Sequence, residues 1–70
     1  MSAIPFTLSG DFIELFKLLK VCGLCETGGA AKHAVLQRLV MVDGQVETRK
    51  GCKIRKNQRV EYAGQTILVQ

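Results

Sequence analysis

The sequence predicts an α+β fold in which two packed helices lie against a small, mainly antiparallel β-sheet. Three patterns indicate it: an apolar stripe with helical spacing, a second helix start at Thr27, and two hairpin signals in the second half of the chain. We expect the seventy residues to form a single domain, 1–70. A chain this short buries only about 60% of its unfolded surface, which excludes a large enzyme with a deep cleft.

The chain begins with a predicted strand followed by a helix over residues 11–22. Ile4, Phe6 and Leu8 alternate with polar or turn residues, and Pro5 restricts this strand to a sheet edge. Four apolar side chains of the helix share one face at i, i+3, i+4 and i+7: Phe12, Leu15, Phe16 and Leu19. The helix start has two competing N-caps, Ser9 and Asp11, the latter with Glu14 at capping-box spacing. Gly23 provides the stop.

A second helix is predicted to start at Thr27, whose hydroxyl can accept a hydrogen bond from a free N–H group. The side chains expected to face the core are small: Ala31, Ala34 and Val35. Gly28 and Gly29 each lower helix propensity by about 1 kcal/mol, and they leave the helix start open to another group. Exposed N–H groups at the positive end of a helix form a ready phosphate site, to which Lys32 would add charge. The alternative is an ordinary helix start with a glycine-rich entry.

The remaining chain predicts two hairpins. Val40–Val42 and Val46–Thr48 flank the turn signal Asp43-Gly44. A plain two-residue loop would put Val46 on the face opposite Val40, so we expect a bulged turn that pairs these two valines. The second hairpin joins Val60 and Tyr62 to Ile67 and Val69 across Ala63-Gly64-Gln65.

Positive charge is concentrated in the last third of the chain. Residues 1–48 carry four cations and five carboxylates, a net charge of −1, whereas residues 49–70 carry six cations and one carboxylate, a net charge of +5. All six cations fall within residues 49–59 and meet no anion there. In an extended chain Arg49, Lys53 and Arg55 point one way, and Lys50 and Lys56 point the other. The run indicates a polyanionic partner, with a solvated loop as the alternative.

The order of these elements resembles a known family. A helix and a short turn precede the run Thr27–Lys32, which reads TGGAAK, and the hairpin run Val40–Gly51, which reads VMVDGQVETRKG. Together they resemble the S4-type RNA-binding domain, or alpha-L motif, and its small free-standing bacterial members of the YbcJ type. The resemblance covers residues 11–69. Gly28 stands where many members carry arginine, and Arg38 stands where many carry glycine.

The resemblance implies binding of structured RNA, such as ribosomal or transfer RNA, in ribosome or ribonucleoprotein assembly. Lys17 and Lys20 would extend the basic face, and His33 would stack on a base if it contacts RNA. The predicted RNA-binding residues are Lys17, Lys20, Thr27, Gly28, Gly29, Lys32, His33, Arg49, Lys50, Lys53 and Arg55. We expect the three phenylalanines in the core, which favours recognition of shape and phosphate over base stacking.

The cysteines suggest an alternative to RNA binding. Cys22 and Cys25 form a Cys-x-x-Cys pair that could bind zinc if Cys52 and His33 supplied the other two ligands. Cys52 and His33, however, do not have the paired spacing that is usual for zinc ligands. We therefore expect buried thiols, no metal, no cofactor and no catalysis. The odd cysteine count, the short uncharged terminal stretches and the absence of a basic start predict a cytoplasmic protein without a membrane span or secretory signal. We also expect a monomer. The main alternative function is a protein-interaction module that docks on an acidic partner.

Overall fold

Seven strands and two helices follow one another in the computed structural model, which describes residues 3–70. In chain order the elements are β1 (Ala3–Phe6), β2 (Ile13–Glu14), α1 (Leu15–Val21), α2 (Gly28–Leu36), β3 (Val40–Val42), β4 (Gln45–Val46), β5 (Lys53–Ile54), β6 (Arg59–Tyr62) and β7 (Gln65–Val69). The main sheet has the order β1-β7-β6-β3-β4, and β2 pairs with β5 separately. Only the pairing of β1 with β7 is parallel among the described strands. The predicted α+β class is confirmed.

The core lies between the two packed helices and one face of the main sheet. Its largest fully buried side chains are Leu15, Leu18, Leu19, Val35, Val40, Ile54, Val60 and Ile67. Ala31 and Ala34 are buried as predicted, and their small side chains let α2 lie close to its neighbours. Within residues 3–70, neither helix has the length and apolar character needed to cross a membrane.

The first helix starts later than predicted. Its range is Leu15–Val21, because Ile13 and Glu14 are extended and pair with Ile54 and Lys53. Glu14 occupies the N-cap position without a side-chain capping bond, so the predicted capping box is wrong. Backbone carbonyls from a segment far along the chain take the place of this cap. Because the helix begins at Leu15, Phe12 lies outside it.

Both helices end in the same capping arrangement. After α1, the N–H groups of Gly23 and Leu24 donate to the carbonyls of Lys20 and Leu19, both at 3.0 Å. After α2, the N–H groups of Arg38 and Leu39 donate in the same pattern, at 3.1 and 3.2 Å. This motif requires a left-handed residue, and φ is +78° at Gly23 and +64° at Arg38. Gly23 ends α1 as predicted, while Arg38 adopts a conformation that glycine adopts more easily.

The first hairpin has a tighter turn than predicted. Val42 pairs with Gln45 and Met41 pairs with Val46, which leaves a two-residue loop. Both loop residues have positive φ, 51° at Asp43 and 85° at Gly44, as a type I′ turn requires. The expected pairing of Val40 with Val46 is wrong. Val46 is instead 52% exposed on the face opposite the core.

The first and last strands lie side by side at one edge of the main sheet. β1 is an edge strand, as Pro5 predicted, and it ends at Phe6, so Leu8 lies beyond the strand but is buried. The predicted last hairpin forms between β6 and β7, and it pairs Val60 with Ile67. Its loop is shorter than expected, because Gln65 belongs to β7 and pairs with Tyr62.

Candidate nucleic-acid interface

The start of α2 is open. Thr27 is the N-cap, as predicted, and its hydroxyl accepts a hydrogen bond from the Ala30 N–H at 3.0 Å. The other first-turn N–H groups have no acceptor inside a helix. Those of Gly28 and Gly29 find no protein acceptor within residues 3–70. Since neither glycine has a side chain, the positive end of the helix is accessible to an anion.

The start of α1 is closed. The Leu15 N–H donates to the carbonyl of Cys52 at 2.8 Å, and the Phe16 N–H donates to the carbonyl of Lys50 at 3.2 Å. The antiparallel pairing of β2 with β5 continues this connection. The basic segment 50–55 is thereby fixed against α1.

Phe16 joins the open helix start to the basic segment. Its half-buried ring packs against the core, and the Lys32 Nζ atom lies 4.7 Å from the ring centroid. Gly28 also faces this ring, since a Cβ atom added there would lie 3.9 Å from it. The backbone of Phe16 meanwhile contacts Lys50. The two predicted RNA-binding regions thus border one residue of α1.

A second phenylalanine lies among the cations of the basic segment. The Lys53 Nζ atom is 4.8 Å from the centroid of the Phe12 ring, and the Arg55 Cζ atom is 5.7 Å from it. Lys53 and Arg55 therefore share one side, as their spacing predicted, with buried Ile54 between them. Phe12 is 40% exposed, so its predicted place in the core is wrong.

Some of the predicted cations are held by carboxylates. Arg49 donates through its backbone N–H and its guanidinium to Glu47, at 2.9 to 3.2 Å. These bonds lower the pKa of Glu47 to about 2, so the pair stays ionised at neutral pH. Arg59 pairs with Glu61 on the outer face of the sheet at 3.5 Å. The positive charge of the run 49–59 is thus partly neutralised by two glutamates that flank it in the sequence. The composition of the run alone does not predict these ion pairs.

Four cations of the run make no ion pair within the described part of the chain: Lys50, Lys53, Arg55 and Lys56. An open groove of about 730 Å³ lies between the β3–β4 hairpin and this run. Its two carboxylates, Asp43 and Glu47, are already engaged. Asp43 accepts from the Arg59 N–H at 2.9 Å and from Gln58 at 3.1 Å, and these bonds lower its pKa. Lys53, Arg55 and Lys56 therefore give the groove a positive surplus.

Three predicted residues are less closely joined to this surface. Lys17 is exposed and pairs with Glu14 at 3.1 Å, with its Nζ atom 5.9 Å from the Phe16 centroid. Lys20 is exposed in the last turn of α1, where its positive charge interacts favourably with the negative end of the helix dipole. His33 is exposed on α2, directly after Lys32.

The cysteines are separate from the cations of this surface, with the exception of Cys52. Burial raises the pKa of the Cys22, Cys25 and Cys52 thiols, so they stay protonated at neutral pH. Among residues 3–70, no group of three or more His, Cys, Asp or Glu side chains is arranged to hold a metal ion. Cys25 contacts Tyr62, and Cys52 contacts Glu47.

Sequence reasoning found the cations but missed the two rings beside them. Phe12 and Phe16 fit the helical spacing of a core stripe, and nothing in that periodicity separates them. What distinguishes the exposed Phe12 from the half-buried Phe16 is the pairing of Ile13 with Ile54. This pairing places Phe12 one residue beyond the strand, next to Arg55. That pairing joins short segments far apart in the chain.

Comparison with known proteins identifies the family. The S4 domain matches residues 6–70, and the chain belongs to this family. It is 49% identical over 57 residues to YbcJ of Escherichia coli K12, whose name assigns it provisionally to RNA binding, with 81% of each chain covered. An uncharacterised YbcJ of Shigella flexneri matches equally well. The solution structure of Escherichia coli YbcJ, described as revealing an alpha-L motif involved in RNA binding, superposes with a TM-score of 0.75 at 43% identity. That match covers 99% of this chain and 89% of the other.

Proposed function

We propose that the protein binds structured RNA through a basic face, defined as the start of α2 with Lys32 and the segment 50–55. One observation carries the proposal: the open helix start and the basic segment both border Phe16, so one RNA can contact both. Membership of the S4 domain family supports RNA as the polyanion, and so does the description of the related YbcJ structure.

Phosphate groups are the main targets of this face. The free N–H groups of Gly28 and Gly29 bind one phosphate, with Lys32 beside them. Lys50, Lys53 and Arg55 bind phosphates further along the same RNA. Arg49 contributes less, because Glu47 neutralises it.

Contacts of this kind position RNA without reading its sequence, so the preference is for shape. Ribosomal or transfer RNA fits this requirement, and assembly of a ribosome or another ribonucleoprotein is the matching task. The family resemblance supports both assignments. In this proposal the protein acts as a cytoplasmic monomer that binds without catalysis.

The salt dependence of binding tests the mechanism. Four to six phosphate contacts predict that log affinity falls against log salt concentration with a slope of about −3 to −5. Fluorescence anisotropy with a labelled RNA hairpin measures this slope. Affinity that is independent of salt would contradict binding through phosphates. Equal affinity for polyglutamate would instead favour docking on an acidic protein.

Two variants and a matched control locate the face. Lys32→Ala and Lys53→Ala should each weaken binding and reduce the salt slope by about 1, because each removes a phosphate contact. Arg59→Ala removes the same charge from the outer face of the sheet, where the side chain pairs with Glu61. It should leave binding nearly unchanged. If all three variants lose affinity equally, net charge alone governs binding and the proposed face is wrong.

A further inference from the structure

Phe12 is an aromatic side chain that the core does not use. Phe6 and Phe16 pack against the buried cluster, whereas Phe12 is 40% exposed and lies outside it. Single exposed apolar residues are common and need no explanation by themselves. The surroundings of Phe12 distinguish it from the other exposed apolar side chains.

Two cations that form no ion pair within residues 3–70 lie over this ring. The pairing of Ile13 with Ile54 brings Phe12 next to Arg55, whose Cζ atom is 5.7 Å from the ring centroid. The Lys53 Nζ atom is 4.8 Å from the same centroid. Both cations also line the positively charged groove beside the β3–β4 hairpin. The ring thus lies where a phosphate backbone would pass.

We propose that Phe12 is a stacking position for an unpaired RNA base, an inference that rests on the proposed RNA binding. A base stacks on the exposed ring, and the cation it displaces turns to the phosphate of the same or the next nucleotide. Both halves of this exchange are favourable, since aromatic rings stack with any base and phosphates attract the freed cation.

The inference narrows the class of ligand. A base inside a continuous duplex is covered by its neighbours and cannot reach the ring. The preferred RNA is therefore a folded one with an unpaired base beside a helix, as in a bulge, a loop or a free end. The phosphate contacts at Lys32 and the start of α2 would hold the adjoining helix.

Two RNA hairpins that differ by one unpaired nucleotide provide the test. One is fully paired in its stem, and the other carries a single bulged 2-aminopurine whose fluorescence changes when the base leaves the stack of the RNA. The protein should bind the bulged hairpin more tightly and change its fluorescence. Phe12→Ala should lose about tenfold in affinity for the bulged hairpin and change little for the paired one. Phe12→Trp should restore the affinity.

Leu68→Ala is the matched control, since Leu68 is 43% exposed on the outer face of the sheet. It should bind both hairpins like the parent protein. Circular dichroism should show all three variants folded, because neither Phe12 nor Leu68 belongs to the buried cluster.

The remaining outcomes separate the inference from the function beneath it. Equal loss on both hairpins in Phe12→Ala would mean that the ring only positions Lys53 and Arg55, which overturns the stacking role. No loss on either hairpin overturns it as well. If Lys32→Ala still weakens binding in those cases, RNA binding through the basic face stands. If the parent protein binds neither hairpin, both proposals fail.

Discussion

The two helices of this protein start in opposite ways. At α1, the carbonyls of Cys52 and Lys50 accept the first two N–H groups of the helix, and the N-cap residue makes no capping bond. At α2, the Thr27 hydroxyl accepts one N–H group, and those of Gly28 and Gly29 remain without a protein acceptor within residues 3–70. One positive helix end therefore fixes a distant segment, and the other stays accessible.

This difference explains how so small a domain can hold a broad charged surface. The closed start of α1 fixes the backbone of the basic segment 50–55 through hydrogen bonds, and this backbone positions the segment's lysines and Arg55. The open start of α2 lies across Phe16 from that segment. The closed helix start fixes part of this surface, and the open helix start adds accessible backbone N–H groups to it.

Opening the closed start should have the largest effect. Ile54 is fully buried, and it holds β5 against β2 beside the carbonyls that cap α1. Ile54→Ala should destabilise the protein by about 2–5 kcal/mol, because it leaves a cavity in the core. Urea unfolding measures the loss, with Ile54→Val as the control at about 0.5–1.5 kcal/mol.

Amide hydrogen exchange would show whether the closed start depends on this anchor. The N–H groups of Leu15 and Phe16 should lose protection in Ile54→Ala more than those of β6 and β7. If their protection falls only in step with the rest of the sheet, the segment 50–55 is held by contacts other than Ile54.

Removing each N-cap side chain gives the next largest effect and separates the two starts directly. Thr27→Ala should cost about 1 kcal/mol, since the Ala30 N–H loses its acceptor. Glu14→Ala should change stability by less than about 0.5 kcal/mol, because Glu14 caps nothing and its ion pair with Lys17 is exposed. Thermal unfolding of both variants measures this. Similar losses would mean that the two starts are equivalent.

The same difference decided what could be predicted from the sequence. The start of α2 was predicted correctly because its cap lies three residues from the N–H group that it accepts. The start of α1 was placed too early because its acceptors, at Lys50 and Cys52, lie far along the chain. A capping box at Asp11 and Glu14 is a local signal, and here a tertiary contact overrides it.

In the candidate site, too, features that depend on neighbouring residues could be predicted, and features that depend on tertiary contacts could not. Gly28, Gly29 and Lys32 form one short run, so their proximity could be predicted. The exposure of Phe12 and Val46 could not be predicted, since each depends on how distant or neighbouring strands pair. Spacing favoured a buried Phe12 and a bulge that buries Val46, yet both side chains are exposed. The engagement of Arg49 by Glu47 likewise required the turn geometry of the loop.

Covering the open start should have the smallest effect on stability and a distinct effect on binding. The φ angle of Gly28 is not positive, and an added Cβ atom would make an ordinary contact with Phe16. Gly28→Ala should therefore stabilise the protein by about 0.4–1 kcal/mol. Gly23→Ala, the control, should destabilise it, because φ is +78° there.

The methyl group of Gly28→Ala would stand beside the free N–H groups, so affinity for an RNA hairpin should fall severalfold while stability rises. Urea unfolding and anisotropy measure the two changes separately. A stabilised variant that binds RNA as tightly as the parent would show that the open helix start is not a phosphate contact.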